Sequence, residues 1–161
     1  MLTAPDDHQL AELLPGRWKM VASNFPLWLG GDRIDPTFTY TVLGTDPLVM
    51  ADDVSYTTGN GVIKHIAGID RWHGEGFQWR GKGLLRILAN YWSVPGVSAA
   101  GTIAAIRFSK SLMSPAGINI IVREGVEPPE PRAAVASESA RFGLSAEDFA
   151  SLTWLDRPPA P

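Results

Sequence analysis

Three side chains that combine an apolar body with a polar tip are predicted to lie on the apolar faces of three strands. Tyr40, His65 and Trp79 each alternate with neighbours of the opposite character, which places them on the inner side of a half-buried sheet. Ligand pockets are mostly apolar walls with a few placed polar groups, and these residue types suit that role. We predict pocket-wall roles for Tyr40 and Trp79. For His65, ligand contact stands beside the alternative of a hydrogen-bonded core histidine.

The carboxylates and the remaining histidines show no recognisable catalytic pattern. Asp52 and Asp53 are consecutive, so on a strand they face opposite ways and cannot act as a pair. Asp70 falls by parity on the strand face opposite to His65, and His73 lies in a glycine-rich turn where we expect it to be exposed. No nucleophile elbow or zinc-protease motif occurs. We therefore predict no catalytic residue.

Metal, cofactor and nucleic-acid sites are not indicated either. The chain has no cysteine, and its three histidines lack ligand spacing, so we predict no metal and no cofactor. Gly81-Lys82-Gly83 is not a P-loop, because the remaining residues of that motif are absent. Arg80 and Lys82 alternate with apolar residues, as on a solvated exterior. With 17 acidic and 14 basic residues the net charge is −3, which argues against a nucleic-acid partner.

An apolar connection between the first two predicted strands is the most informative local feature. Residues 25–36, FPLWLGGDRIDP, place Phe25 and Trp28 where a surface loop is expected. Exposed apolar clusters mark ligand mouths, partner sites or membrane contacts. We predict a lid over a ligand site. The alternatives are a loop that folds back as a plug, and a surface through which two copies form a homodimer.

Further candidates complete the predicted ligand site. Phe38 shares a strand face with Tyr40, whereas of the adjacent Tyr91 and Trp92 only one can point inward. Arg107 would meet an anionic headgroup if its strand turns it inward. The predicted ligand-binding residues are Phe25, Trp28, Phe38, Tyr40, His65, Trp79, Trp92 and Arg107.

Eight short strands separated by turn signals must position these residues. The candidates are Arg17–Asn24, Thr37–Leu43, Val49–Thr57, Val62–Asp70, Phe77–Gly81, Ile87–Val94, Thr102–Ser109 and Ile118–Arg123. Hairpin-length connections at this spacing predict an all-β fold, an eight-stranded antiparallel up-and-down barrel. Helical signals occur at Asp6–Leu14, at Pro131–Phe142 and after Ser145. The length predicts one domain, 1–161, with the barrel at about 16–123 and a C-terminal helix and closing segment at about 131–155.

The layout resembles that of the lipocalins, members of the calycin superfamily, and most closely the bacterial lipocalin and apolipoprotein D branch. The resemblance rests on Gly16-Arg17-Trp18 at the first strand, Arg123 at the end of the eighth, the helix that follows, and Trp154 in the closing segment. It spans about residues 14–156. It implies that Trp18 closes the barrel base with Arg123 packed on its ring face. Gly16, Trp18 and Arg123 would then be structural residues.

These observations favour binding or transport of one small hydrophobic ligand, such as a fatty acid, another lipid or an isoprenoid-like molecule, inside the barrel. The alternative is an enzyme on the same barrel, an isomerase or cyclase without metal that acts on a polyene, with Tyr40 or His65 moving a proton. MLTAPDDHQL resembles no secretory signal and no run of 18 apolar residues occurs, so we expect a cytoplasmic protein without an integral membrane segment.

Overall fold

Eight antiparallel strands follow one another around a closed barrel. The computed structural model describes residues 3–87, 89–111 and 115–155. The strands are β1 Gly16–Ser23, β2 Arg33–Gly44, β3 Val49–Thr58, β4 Ile63–His73, β5 Gly76–Gly81, β6 Ala89–Val97, β7 Ile103–Phe108, β8 Gly117–Arg123 and the short β9 Thr153–Trp154. Each of the first eight pairs with the next, and β1 pairs with both β2 and β8, which closes the ring. The predicted up-and-down barrel is confirmed.

Within the described ranges, four short α-helices lie at the ends of the barrel and on its outside, and Gly83–Leu85 forms one turn of 3₁₀ helix. The α-helices are α1 Asp7–Leu13, α2 Pro26–Leu29, α3 Pro131–Ser137 and α4 Ala146–Ser151. A capping box begins α1, where Asp6 and Gln9 each bond the other's backbone, and a second one begins α4 at Ser145. No helix within the described ranges is long and apolar enough to cross a bilayer.

Two separate apolar clusters pack on the two faces of β1, β7 and β8. The inner cluster lies inside the barrel and includes Trp18, Ile106 and Ile121. The outer cluster joins Ile118 and Ile120 to the C-terminal segment, through the buried residues Val135, Phe142, Leu144 and Leu152. β8 is therefore apolar on both faces because both faces are covered. The predicted helix Pro131–Phe142 is shorter than expected: it ends at Ser137, and the turns that follow bring Phe142 and Leu144 onto the barrel.

The base of the barrel is closed as the sequence predicts. The Arg123 guanidinium lies 4.4 Å from the centre of the Trp18 ring, and the Trp18 indole N–H donates to the Leu14 carbonyl at 2.9 Å. Arg123 also donates to the carbonyls of Leu13 and Pro15, which ties the segment after α1 to the last strand. At Gly16 the backbone has φ +117°, and a Cβ there would lie 2.8 Å from Arg123 Nη1.

The inner face of β4 differs from the prediction. The face that carries His65 was predicted to be inside, but the buried positions are Gly68 and Asp70, and Ile66 points the same way. The register decides this, since Ile66 pairs with Val54 and Gly68 with Asp52 on β3. Isoleucine occurs on both faces of β4, so apolar alternation alone does not distinguish inside from outside.

A candidate ligand cavity inside the barrel

A cavity of about 150 Å³ lies in the upper half of the barrel, between α2 and a layer of stacked aromatic rings. Its walls are mostly aromatic and aliphatic. The lining residues are Phe25, Leu27, Trp28, Phe38, Tyr40, Asp52, Val54, Ile66, Trp79, Asn90, Trp92, Phe108 and Asn119. Empty apolar cavities of about 150 Å³ in other proteins hold one benzene ring, so the space fits a small molecule of that class.

The floor of the cavity is a stack of aromatic rings from three strands. Trp92 lies between Phe77, at 4.6 Å between ring centres, and Tyr40, at 5.7 Å. Its indole N–H donates to Asp70 Oδ1 at 2.8 Å, which fixes the orientation of the ring. Such stacks add about 0.5–1.5 kcal/mol per pair beyond their buried area, so the floor is rigid.

The roof of the cavity is the first connection, folded inward as α2. Pro26 occupies the first helical turn, where its missing N–H costs nothing. The Phe25 N–H donates to Ser23 Oγ at 2.9 Å, and Asn24 Oδ1 accepts from the Ile118 N–H at 2.6 Å, so the entry to the helix is held on both sides. Trp28 is only 7% exposed.

Trp28 packs edge-on against two rings of the barrel wall, Phe38 at 6.3 Å and Tyr56 at 6.0 Å between centres. The lid and plug interpretations therefore describe the same arrangement. The first connection folds inward over the open end of the barrel and lines the cavity below it. Because Trp28 points inward, it does not contribute to the exposed apolar surface on which the homodimer hypothesis depended. The large hydrophobic residue that α2 exposes is Leu29, which is 39% exposed.

Two buried carboxyl groups lie together beside the cavity: Asp52 is one of its lining residues, and Asp70 is not. Asp52 on β3 is directly opposite Tyr40 on β2, and on its other side it is opposite Gly68 on β4, two residues from Asp70. Asp52 is 6% exposed and Asp70 is fully buried. Asp52 Oδ1 and Asp70 Oδ2 are buried, and neither has a donor within hydrogen-bond distance among the described residues. One proton shared between the two carboxyl groups satisfies both.

The titration of the pair agrees with a shared proton. Burial raises the pKa of Asp52 to about 6, against the opposing effect of the hydrogen bond that it accepts from Asp70. Burial raises the pKa of Asp70 well above its ordinary value, and the neighbouring Asp52 charge raises it further. These directions predict that the pair retains one proton at neutral pH and that Asp70 is the more readily protonated of the two. Burial also raises the pKa of Tyr40, so its phenol is neutral.

The carboxyl group of Asp52 has no cation near it in the barrel. The cavity is lined by no lysine, arginine or histidine of the described residues, and no basic group contributes to the pKa shift of Asp52. Charges in protein interiors are ordinarily paired or neutralised. Chemically, the site can bury an apolar body against aromatic faces, accept a hydrogen bond or a positive charge at Asp52, and exchange a proton.

Most of the predicted ligand-binding residues lie together on the cavity wall. They are Phe25, Trp28, Phe38, Tyr40, Trp79 and Trp92. Trp92, not Tyr91, is the inward member of its pair. The Trp79 indole lies over Gly68, where a Cβ would be 2.2 Å from Trp79 Nε1, so the glycine makes room for the ring. Their roles in binding stay predictions.

His65 does not lie in the cavity, and its predicted placement was wrong. Its side chain is 57% exposed on the outside of β4, and its Nδ1 lies 2.9 Å from Asp53 Oδ2. The cause is the reversed face of β4 described above. His65 therefore carries no proton into the barrel.

Arg107 also points outward, contrary to the prediction. It donates to Asp148 Oδ2 at 3.0 Å and to the Gly143 carbonyl at 3.3 Å, on the outer side of β7. These bonds attach the C-terminal segment to the barrel. The Ser145 backbone N–H, which donates to Asp148 Oδ2, and the hydrogen bond from Arg107 lower the pKa of Asp148. An anionic headgroup inside the barrel would not meet Arg107.

Sequence reasoning missed Asp52 and Asp70 as a pair. The prediction that Asp52 and its chain neighbour Asp53 cannot act as a pair is correct, because the two face opposite ways. The partner of Asp52 comes from the next strand, 18 positions along the chain, and the register of β3 against β4 brings the two together. The signal in the sequence was Asp52 itself, a charged residue on the same strand face as the apolar Met50 and Val54.

Comparison with known proteins identifies the fold but no close relative. No protein-family model and no curated protein sequence matches the chain. Among solved structures, the siderocalin Ex-FABP is 13% identical with a TM-score of 0.61, over 91% of this chain and 96% of that one. Lobster apocrustacyanin A1 is 8% identical with a TM-score of 0.62, over 96% and 87%. A biogenic amine-binding protein is 12% identical with a TM-score of 0.61, over 95% and 84%.

These structures are lipocalin-type eight-stranded barrels, so the resemblance to the lipocalins is confirmed at the level of the fold. Identities of 8–13% carry no residue-level correspondence. The narrower assignment to the bacterial lipocalin and apolipoprotein D branch stays a prediction.

Proposed function

We propose that this protein binds one small hydrophobic molecule, of about the size of a substituted benzene, inside the barrel. The observation that carries the proposal is the partly open cavity of about 150 Å³ with aromatic walls beneath the inward-folded α2. Several barrels of the same fold are named for what they bind, among them an odorant-binding protein and the biogenic amine-binding protein. That is consistent with a binding role.

The volume constrains the ligand. A fatty acid or an extended polyene is larger than about 150 Å³ and would require α2 to move away from the mouth. A substituted benzene that buries about 220 Å² of apolar surface gains about 5 kcal/mol before ordering is subtracted. Without any ordering cost this gain corresponds to a dissociation constant of about 0.2 mM, so we expect a neutral ligand of this size to bind with a dissociation constant of about 1 mM or weaker.

Titration calorimetry with propylbenzene tests the proposal. Wild-type protein should bind one equivalent, and Val54→Phe should not, because the larger side chain would occupy the cavity next to Ile66. Ser55→Phe is the matched control, since the next residue on β3 faces away from the cavity and the variant should bind as wild type does. Circular dichroism establishes that both variants are folded. If neither propylbenzene nor an amine or acid of the same size binds to wild-type protein, the proposal is wrong.

A second candidate function, proton-transfer isomerisation, is favoured by the carboxyl pair. A carboxylate with a pKa of about 6 beside a protonated carboxylic acid and a neutral phenol is a set of groups that can remove and return a proton. A small β,γ-unsaturated ketone such as cyclohex-3-enone is the probe. Ultraviolet absorbance would follow its conversion to the conjugated isomer, which Asp52→Asn should abolish. A rate equal to that of buffer would exclude this candidate and leave the binding proposal unaffected.

A further inference from the structure

The strongest unexplained feature of the cavity is its unbalanced charge. At neutral pH the Asp52–Asp70 pair carries one negative charge, and the cavity wall holds no basic side chain among the described residues. Asp70 has a structural partner in the Trp92 indole N–H, whereas Asp52 is opposite Tyr40 and Gly68 and has no cation. The Arg33 guanidinium lies over the Tyr56 ring, which contacts Trp28 of the roof, and is not among the residues that line the cavity. A ligand that brings a positive charge to Asp52 would therefore complement it.

The walls around this charge are of the kind that accommodates organic cations. Tyr40, Trp79 and Trp92 line the cavity together with Asp52, and Trp28 and Phe38 lie above them. Aromatic ring faces attract ammonium groups through their quadrupoles, most strongly where water is excluded. A carboxylate at the bottom of an aromatic chamber is therefore a site for a positively charged nitrogen and not for an anion.

The distances along β3 set the length of the ligand. Asp52, Val54 and Tyr56 face the same way, and Tyr56 contacts Trp28 of the roof. With a rise of about 3.3 Å per residue, the carboxyl level and the roof are about 13 Å apart along the strand. That length holds an ammonium group at Asp52, a two- or three-atom linker, and one aromatic ring beneath Trp28.

We propose that the ligand of the barrel is a small aromatic amine, bound with its ammonium group against Asp52 and its ring beneath Trp28. The inference rests on the proposed binding function and adds the chemical class of the ligand to it. It also predicts rejection of carboxylic acids with the same ring and linker, because their negative charge would meet that of Asp52 between apolar walls.

Three probes that share a phenyl ring and a two-carbon linker separate the charge of the end group from hydrophobic size, and 3-phenylpropanamide is the neutral match for the larger carboxylate. 2-Phenylethylamine, propylbenzene and 3-phenylpropionate carry a positive, a neutral and a negative end on the same ring and linker. Calorimetry at pH 7.5 should give an affinity for the amine at least tenfold higher than for propylbenzene, and no measurable binding of the acid. In Asp52→Asn the amine should lose this advantage while propylbenzene still binds, which shows that the cavity is intact. Asp53→Asn is the matched control, because Asp53 faces outward against His65 and the variant should keep the wild-type preference.

The pH dependence adds an independent measurement. The titratable groups that face Asp52 are Tyr40 from β2 and Asp70 from β4, and Asp53 is next to it on β3. None of these groups carries a positive charge. Because the pKa of Asp52 is about 6, lowering the pH from 7.5 to 5 should reduce the affinity for the amine at least threefold and leave that for propylbenzene unchanged.

The outcomes are distinguishable. If propylbenzene binds as tightly as the amine, or if Asp52→Asn weakens both equally, the inference is overturned and the proposed binding function stands. If none of the three probes binds, both are overturned.

Discussion

Replacing Asp52 by asparagine should stabilise the protein at neutral pH. The amide has nearly the same shape as the carboxylate and can still accept a hydrogen bond from Asp70, but it carries no charge into the barrel. Buried groups whose charge lacks an opposite partner destabilise the folded state. The variant removes that cost and leaves the apolar wall in place.

The magnitude follows from the pKa. Asp52 has a pKa of about 6 in the folded protein and 3.8 as its ordinary value, so the folded state binds the proton more tightly. The stabilisation that comes from this proton is complete below pH 3.8 and is lost as the pH rises through 6. The difference of about two pKa units corresponds to about 3 kcal/mol. The free energy of unfolding of Asp52→Asn should therefore exceed that of wild type by about 3 kcal/mol at pH 7.5, with a Tm higher by roughly 6–12 °C. At pH 4 the two proteins should be nearly equally stable.

Urea denaturation of wild type, Asp52→Asn and Asp53→Asn at pH 7.5 and pH 4 measures this effect. Comparing variants at each pH cancels the contribution of other carboxyl groups, such as Asp148, whose lowered pKa acts in the opposite direction. The Asp53→Asn control, on the solvent side of β3, should change the free energy of unfolding by less than about 1 kcal/mol at either pH. An Asp52→Asn variant that is less stable than wild type at pH 7.5, or equally displaced at both pH values, would refute the reasoning.

Three further substitutions test the roof, wall and base of the barrel. Gly68→Ala places a Cβ 2.2 Å from Trp79 Nε1 and should push the indole into the cavity, weakening propylbenzene binding at least tenfold by calorimetry; Gly59→Ala, in open space, is the control. Trp28→Ala removes the buried roof and should lower the free energy of unfolding by about 3 kcal/mol and speed ligand dissociation, measured by stopped-flow fluorescence. Arg123→Lys loses the guanidinium stack and one carbonyl bond, which should cost about 1–2 kcal/mol in urea denaturation without changing propylbenzene affinity. An affinity change in Arg123→Lys would contradict its assignment to the barrel base.

Local sequence signals predicted the strands and the closure of the barrel because those depend on short-range physics. Turn residues separate the strands, alternation sets two faces, and Gly16 and Trp18 combine with Arg123 in a closure that the resemblance to lipocalins implied. The first connection is shorter than the predicted residues 25–36, since β2 begins at Arg33 and α2 occupies residues 26–29. Its inward fold depends on bonds to Ser23 and β8 that no local pattern reveals.

The placement of individual side chains failed where the choice of face depends on pairing between strands. β4 has isoleucine on both sides, so His65 and Asp70 could be assigned only relative to each other and not to the barrel interior. The register against β3 fixes Ile66 and Asp70 inside. Arg107 was misplaced for a related reason: β7 is apolar on both faces, because the C-terminal segment covers its outside.

The two aspartates differ in what they give the fold, and that difference locates the functional residue. Asp70 orients Trp92 through a buried hydrogen bond, so its burial supports the stacked floor of the cavity. Asp52, in contrast, has a buried Oδ1 without a donor among the described residues, and its raised pKa predicts a cost to the folded state of about 3 kcal/mol at neutral pH. A residue that destabilises a barrel and leaves its charge facing a cavity is expected where binding needs that charge. A ligand that supplies the missing positive charge should therefore also stabilise wild-type protein more than Asp52→Asn, which connects the stability measurement to the identity of the ligand.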